Sequence, residues 1–310
     1  MIELRSDVEL KRVPDDTRPL IFWKSSSAAC RPYQNNTVLY AYSTDIDCYT
    51  FRGGAGSMVD YAPYYKTMAN VRFDTKQEEE IEYHTDQHSL SNSLDSHVPD
   101  STLGYEDKTT GSNLYNVLKT FLNNGKVSLC GAQVFIAVKR YPDESDVSDI
   151  INQLRANHVM VYIAVDSVPS GGSNSATLYE MSYETNGYCL FATGDDLWKA
   201  FDWMTHILGE PYQFIAQNFV VSGSGRIEIP AFKTPIPVAL DNSFVSMNYT
   251  IASTDGSYVF QFPSHNAQPL YGTAESNWFS VSEYLSYTWT IDYHYNTDAP
   301  QIVECSMNSG

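Results

Sequence analysis

Two stretches, Gln133-Val-Phe-Ile-Ala-Val138 and Val159-Met-Val-Tyr-Ile-Ala-Val165, decide the fold. Each is a continuous apolar run without alternation, which is the pattern of a strand buried on both faces of its sheet. The segment between them carries apolar residues at helical spacing, and a helix is expected to begin near Ser145. Strand, helix, strand in this order predicts a mostly parallel sheet with helices on both faces, so the predicted fold class is α/β.

The same alternation extends in both directions. Thr37–Tyr42 predicts another buried strand, and Ser112-Asn113 is expected to cap a helix that ends near Gly125. Downstream, the pattern predicts a helix over 178–185, a strand over 188–191, and a last helix capped by Asp195-Asp196. The residues expected to face the core in the three longest helices are Leu114, Val117, Leu118, Phe121, Leu122, Val147, Ile150, Ile151, Leu154, Leu197, Ala200, Phe201, Met204 and Leu208.

Weaker signals lie between the first strand and the helix at 112. Gly53-Gly54-Ala55-Gly56 is expected to break the pattern, and residues 86–108, dense in Ser and Asp, are expected to form a loop. Short strands are expected at 71–74 and 81–84.

After Gly209-Glu210-Pro211 the helical spacing stops and short alternating runs appear. Several short strands separated by Gly, Pro, Asn and Ser predict an antiparallel β-sandwich. The predicted organisation is an irregular extension over 1–35, an α/β domain over 36–209 and a β-sandwich over 212–310. The strands expected in the last domain are 214–221, 227–229, 244–251, 258–262 and 287–293.

The charge balance restricts the class of partner. The 310 residues include 37 acidic and 19 basic ones, for a net charge of −18. Such a surface repels phosphate backbones and anionic lipid, so neither nucleic acid nor membrane insertion is expected. The chain has no apolar run long enough to span a bilayer, and its first residues lack the apolar stretch of a secretory signal.

The five cysteines form no Cys-x-x-Cys pair. Cys30 with Cys48 is the best disulfide candidate, whereas Cys130 and Cys189 are expected to be buried thiols. Asn35 and Asn248 begin glycosylation acceptor sequences.

An open α/β sheet binds ligands at the carboxyl ends of its strands. Over about 170 residues this chain resembles von Willebrand factor A domains, in which that edge carries a metal-ion-dependent adhesion site. The resemblance implies that Ala41, Ser43 and Asp45 correspond to the Asp-x-Ser-x-Ser ligands, and that Ser112 replaces the family's Thr. It also implies that Lys139-Arg140 stands where the family has its last Asp. A cationic side chain in that place repels a divalent ion.

The chain also resembles a set of secreted nematode proteins of uncharacterised function. They carry a degenerate A-like domain followed by a β-rich, CUB-like domain. The matching motifs here are Ala41-Tyr-Ser-Thr-Asp45, Arg140-Tyr-Pro-Asp-Glu-Ser145 and Val221-Ser-Gly-Ser-Gly225. The resemblance implies an extracellular binding role, with innate immunity suggested by relatives.

The expected binding rim consists of Ser43, Asp45, Asp47, Ser112, Arg140 and Asp143. No metal cofactor is expected; if Mg²⁺ or Ca²⁺ binds weakly, Ser43, Asp45 and Ser112 are the expected ligands. Arg140 is expected to meet a carboxylate of the partner directly.

Other constellations carry alternatives. His84 and His88 have the i,i+4 spacing of a zinc site, but a solvated loop is the favoured interpretation. The acids from Asp143 to Asp149 are expected to cap a helix, with cation binding as the alternative. Aromatic residues of the last domain form either a sugar-stacking surface or sandwich core: Tyr271, Trp278, Phe279, Tyr284, Tyr287 and Trp289.

No nucleophile motif is present, so the chain is not expected to be an enzyme. The sequence predicts a non-catalytic extracellular protein that binds a protein or glycan. A structural extracellular protein is the alternative, and a polysaccharide hydrolase using Asp143 and Glu144 is the distant one. The pattern leaves the oligomeric state open.

Overall fold

The protein is described by a computed structural model that covers residues 11–13, 36–233, 244–253, 268–269, 274–282, 286–295 and 298–309. The chain divides into two compact units, Cys30–Gly209 and Glu210–Gly310, the latter together with Met1–Ala29. Among the described residues, no helix is both long and apolar enough to cross a membrane.

The Cys30–Gly209 unit is built on a six-stranded sheet in the order β4-β3-β2-β5-β6-β7. All neighbouring strands are parallel except β4, which is antiparallel to β3. This sheet, with helices on both faces, is a von Willebrand factor A-like fold and confirms the predicted fold class. Its strands are β2 Thr37–Ser43, β3 Thr67–Phe73, β4 Glu82–His84, β5 Gln133–Val138, β6 Met160–Asp166 and β7 Cys189–Ala192.

Six α-helices flank the sheet: α1 Cys48–Asp60, α2 Gln87–Ser96, α3 Leu114–Leu122, α4 Ser148–Ala156, α5 Ala176–Glu184 and α6 Asp195–Thr205. Short 3-10 helices lie at Ala62–Tyr64, Ser101–Leu103 and His206–Gly209. Every residue expected to face the core in α3, α4 and α6 is buried. Asp195 and Asp196 lie in the first turn of α6 rather than at its cap, which is Gly194.

The two faces of the sheet differ chemically, because alternate residues of a strand point to opposite sides. One face joins Leu39, Val71, Val134 and Ile163 to the aliphatic side chains of α3, α4 and α5. The other face is aromatic: the Tyr40 ring lies 5.8 Å from that of Phe201, and the rings of Phe135 and Tyr162 stack at 4.8 Å.

The glycine run at 53–56 does not break the structure but lies inside α1. Gly54 packs directly on Tyr40, where a Cβ atom would lie 2.8 Å from the tyrosine ring, and on the ring of Phe201. Low helix propensity is therefore outweighed by a close approach of α1 to the aromatic face that only glycine permits.

The 86–108 segment is likewise not a simple loop. Asp86 accepts a hydrogen bond from the Ser89 amide at 2.8 Å and caps α2. Only Leu90 and Leu94 are buried apolar residues of this helix, so its serine-rich sequence gave little helical periodicity.

The predicted Cys30–Cys48 disulfide is wrong, because Cys48 is a free, exposed thiol. Cys130 is disulfide-bonded rather than a buried thiol, while Cys189 is a buried thiol as expected. Cys30 lies outside the described residues.

The described residues of the C-terminal unit form two antiparallel sheets, ordered β1-β13-β9 and β11-β12-β10-β14-β8. The short strand β1 pairs with β13, although 1–35 was expected to be irregular throughout. Strands β12 and β14 were not predicted, and the strand expected at 258–262 lies outside the described residues. The strand limits are β1 Lys11–Val13, β8 Tyr212–Val221, β9 Ser224–Lys233, β10 Phe244–Ser253, β11 Gln268–Pro269, β12 Ala274–Ser282, β13 Ser286–His294 and β14 Gln301–Ser309.

Candidate functional site

The carboxyl ends of β2, β3 and β5 meet the beginning of α3, and we call this edge of the sheet the strand-end rim. Its centre is Asp74, which directly follows β3. The hydroxyl of Ser112 donates to Asp74 Oδ1 at 2.7 Å, and the hydroxyl of Ser43 donates to Asp74 Oδ2 at 3.0 Å. The amide of Asn113 donates to Oδ1 at 3.0 Å. The two hydroxyls that the family resemblance assigned to an ion are thus both bonded to one carboxyl group.

The backbone holds Asp74 in this position. Asp74 has a φ of 64°, a left-handed conformation that aspartate tolerates better than most residues. Its amide donates to the side chain of Asn113 at 2.9 Å, and the Lys139 amide donates to the Ser43 hydroxyl at 3.0 Å. Three strand ends and one helix start are therefore tied together around a single buried side chain.

Burial dominates the electrostatics of the rim. It raises the pKa of Asp74 to about 7, while the hydrogen bonds from Ser112, Asn113 and Ser43 act in the opposite direction and the charge of Asp45 adds to the rise. At neutral pH this carboxyl group is therefore divided between its neutral and its ionised form.

The remaining rim acids have distinct roles. Asp47 accepts from the amides of Tyr49 and Thr50, both at 2.9 Å, and caps α1. Asp45 is partly buried, and its Oδ1 has no hydrogen-bond partner among the described residues. Asp143 is exposed and accepts from the Ser173 hydroxyl at 3.0 Å.

Neither cation after β5 is presented to a partner. Arg140 is only 2% exposed, and its guanidinium donates to the carbonyls of Thr110 at 2.7 Å and Asp107 at 3.0 Å. Lys139 Nζ lies 2.7 Å from Asp166 Oδ2. Arg140 therefore anchors the loop before α3, and the expectation that it meets a partner carboxylate is wrong.

These residues do not suit a divalent ion as they stand. The hydroxyl protons of Ser43 and Ser112 are directed at Asp74, and Ala41 is buried in the aliphatic cluster. Across the part of the chain that the structure describes, no group of three or more His, Cys, Asp or Glu residues could hold a metal.

The acidic segment after β5 leads into α4, whose N-cap is Val147 and carries no side-chain cap hydrogen bond. Asp146, just before that cap, accepts from the amide and the hydroxyl of Ser148, at 3.0 and 2.6 Å. Asp143 and Glu144 are both exposed, and the amide of Asp143 bonds to the side chain of Glu144.

The His84–His88 pair is neither a zinc pair nor a solvated loop. His84 is buried on β4, with Nε2 2.8 Å from Asn70 and Nδ1 2.8 Å from Ser89. Burial lowers the pKa of His84. His88 is exposed on α2, and the two side chains line an open groove of about 530 Å³ between β4 and α2.

The remaining predicted sites lie in the C-terminal unit or outside the described residues. Asn248 lies in β10, between β12 and β14, and Asn35 is outside the described residues. The side chains of the aromatic residues singled out in this unit are also outside the described part of the structure.

Asp74 is the rim residue that sequence reasoning missed. The available signal was its position: an acid that follows a buried strand lies at the same edge as the acids that follow the neighbouring strands.

Residues 217–310 match the model of a family described as "Domain of unknown function (DUF7154)". No curated protein matches the chain.

Solved structures with a similar fold include the human COPII-coat protein Sec24c (8% identity, TM-score 0.42, covering 89% of this chain and 43% of that chain). A von Willebrand factor type A protein from Catenulispora acidiphila has 8% identity and a TM-score of 0.40, covering 89% of this chain and 58% of that one. Proximal thread matrix protein 1 from the mussel byssus, with a zinc-occupied MIDAS motif, has 8% identity and a TM-score of 0.39, covering 61% and 50%. The chain thus spans about half the length of each of these three solved chains.

Proposed function

We propose that this chain is a non-catalytic extracellular binding protein that recognises a protein or glycan partner through the strand-end rim without a metal ion. The observation that carries the proposal concerns the Asp74 carboxyl group, which accepts hydrogen bonds from the hydroxyls of both Ser43 and Ser112. This side chain gives the rim a fixed shape and makes an ion unnecessary for holding the strand ends together.

The charges left on the rim indicate the chemistry of the partner. Arg140 and Lys139 are engaged inside the protein, whereas Asp47, Asp143 and Glu144 are exposed. A basic or hydrogen-bond-donating partner surface fits this arrangement better than an acidic one. The protein then supplies the negative charge and the partner the positive one, whereas the sequence analysis expected Arg140 to meet a carboxylate of the partner.

Two features support an extracellular setting. The disulfide of Cys130 is typical of an oxidising compartment, and the resemblance to secreted nematode proteins with a CUB-like second domain suggests the same location. A role in innate immunity and glycosylation at Asn35 and Asn248 belong to this proposal. So do the domain limits 36–209 and 212–310.

Two exposed tyrosines at opposite edges of the sheet provide a matched test. Tyr49, 72% exposed, lies in the first turn of α1 beside the rim; Tyr64, 54% exposed, precedes the beginning of β3. The full chain, Tyr49→Ala and Tyr64→Ala are applied to an array of extracellular proteins and to a glycan array. We expect a ligand of the parent chain to bind Tyr49→Ala at least about tenfold more weakly, as for a contact residue at the centre of an interface.

Tyr64→Ala is expected to bind as the parent chain does, because it lies at the amino edge. Equal loss in both variants, or no ligand on either array, would contradict recognition through the rim.

One observation favours assembly as a second candidate function. Among the strands that the structure describes, β8 lies at the end of its five-stranded sheet; it carries no charged residue, and Val220 near its end is 73% exposed. Uncharged edge strands promote pairing between chains. If the chain is an assembly protein, Val220→Lys should lower its mass in analytical ultracentrifugation; a monomeric parent chain would exclude this function.

A further inference from the structure

The groove between β4 and α2 is separate from the strand-end rim. Its nine lining residues are all polar and lie within the described range 36–233; they include three histidines, Glu82 and Asp86, and no lysine or arginine. Glu82 pairs with Asn70 in the middle of β3, four residues before Asp74. Four residues of strand correspond to about 13 Å, so the groove is not part of the rim.

The three histidines of the groove differ in what their nitrogens can do. Both nitrogens of His84 are engaged, by Asn70 and by Ser89. Nε2 of His88 contacts the side chain of Asn92 at 3.1 Å. His97 is different, because its Nδ1 lies 2.9 Å from the carbonyl of Ser93.

That contact fixes the tautomer of His97. A carbonyl oxygen only accepts, so Nδ1 carries the hydrogen, and in a neutral ring Nε2 then presents a lone pair. Nε2 lies 3.7 Å from Glu82 Oε1, beyond hydrogen-bond distance. In its neutral form His97 therefore presents a lone pair to the Glu82 carboxylate, and in its protonated form it makes an ion pair with the same carboxylate at 3.7 Å.

We propose that the groove binds a divalent late transition-metal ion, with Zn²⁺ as the test case, between His97 Nε2 and the Glu82 carboxylate. Ligand distances of about 2.0–2.2 Å place two tetrahedral zinc ligands about 3.4 Å apart, a few tenths of an ångström less than the present gap. Glu82 is 45% exposed on its side chain and can close that difference by rotation.

The surroundings of His97 are those of a metal ligand. Histidine ligands commonly donate their other ring N–H to a backbone carbonyl, which orients the ring, and His97 does so to Ser93. Ser93 is in turn held by Asn70, whose amide donates to the serine hydroxyl at 2.9 Å. The end of α2 that carries His97 is thus fixed against the sheet before any ion arrives.

The site is open rather than structural. Because only two protein ligands converge, water or a donor from a second molecule occupies the remaining positions. An ion held in this way has a free face toward solvent, which suits metal-bridged contact with a partner at a second surface of the protein.

The test uses the untagged full chain in a Cys48→Ser background, because the exposed Cys48 thiol is itself a zinc ligand. Zinc chloride is titrated calorimetrically into this parent and into His97→Gln and Glu82→Gln. Loss of a partner of a metal ligand commonly costs 10- to 100-fold in affinity, so removing either ligand is expected to cost at least about tenfold. His88→Gln, in the same groove, is expected to keep the parent affinity.

A zinc anomalous-scattering peak between His97 and Glu82 in a crystal soaked with the ion would place it directly. Undiminished affinity in both His97→Gln and Glu82→Gln, or no heat with the parent, would overturn the proposal. Asp74→Asn is expected to keep the zinc affinity, so failure of this site and failure of the rim proposal are distinguishable.

Discussion

Replacing the buried carboxyl group at the centre of the rim tests how the strand ends are held together. Asp74→Asn keeps the shape of the side chain and leaves an oxygen for Ser112 and Asn113, but it removes the ionisable group. Its nitrogen would face the Ser43 hydroxyl, which loses its acceptor. This buried mismatch is expected to cost about 1–2 kcal/mol at every pH.

The effect of the substitution on the pH dependence of the free energy of unfolding has the opposite sign to this cost. Burial raises the pKa of Asp74 from 3.8 to about 7 in the folded protein. The folded state therefore binds the proton more tightly than the unfolded chain, and the stability this provides below pH 3.8 is lost as the pH rises through about 7. At about 1.4 kcal/mol per pKa unit, the loss amounts to about 4 kcal/mol. Asparagine does not titrate, so the Asp74→Asn variant does not undergo this loss of stability.

Urea unfolding at a series of pH values from about 4 to about 8.5 measures this difference. All α-helices of the described residues lie in the Cys30–Gly209 unit, so far-ultraviolet circular dichroism follows that unit. We expect Asp74→Asn to be less stable than the parent chain at the acidic end and more stable at the basic end. The control is Asp143→Asn, at an exposed position, which should change the free energy of unfolding by the same amount at the acidic and the basic end of the pH series. If the difference between Asp74→Asn and the parent did not change with pH, the central role of this carboxyl group would be refuted.

Three further changes test the packing. Gly54→Ala should lower the free energy of unfolding by about 1–3 kcal/mol, because its Cβ would press on the aromatic face; Gly56→Ala, with nothing within 4 Å, should raise it by up to about 1 kcal/mol. If the helix assignment were wrong, the melting temperatures of the two variants would shift in the same direction relative to the parent chain. Arg140→Gln should destabilise the protein by about 3 kcal/mol, because carbonyls of the loop lose their charged donor, whereas the exposed Arg155→Gln should cost less than about 1 kcal/mol. Cys130 should resist alkylation until the protein is reduced, as read from its peptide mass; reaction without reductant would contradict the disulfide.

The sequence predicted the sheet because β2, β5 and β6 are buried on both faces and read as continuous apolar runs. The helices α3, α4 and α6 were predicted for an equally direct reason, since a single apolar stripe covers the core. Helix α1 was missed because local helix propensity disfavours its glycines. Gly54 is required there by a contact distant in sequence, the close approach of the helix to Tyr40 and Phe201.

The positions of Ser43 and Ser112 at the strand ends were predicted, but the hydrogen bonds that join them were not. Ser43 and Ser112 were identified from their loops, yet their common partner Asp74 comes from the neighbouring strand, and only the register of the sheet brings the three together. The direction of Arg140 depends on the carbonyls of residues 105–110, which no spacing rule reveals. Disulfide pairing also follows from three-dimensional proximity rather than from the positions of cysteines in the chain.

The inward-pointing arginine has a consequence for how this protein can change over evolutionary time. Replacing Arg140 with an acid would leave the loop carbonyls without their charged donor and bury a carboxylate in its place. Replacing Ala41 with aspartate would bury a carboxylate among aliphatic side chains. Each of these single changes therefore lowers stability before any ion can compensate, so substitutions are tolerated more readily on the exposed surface than at these two positions.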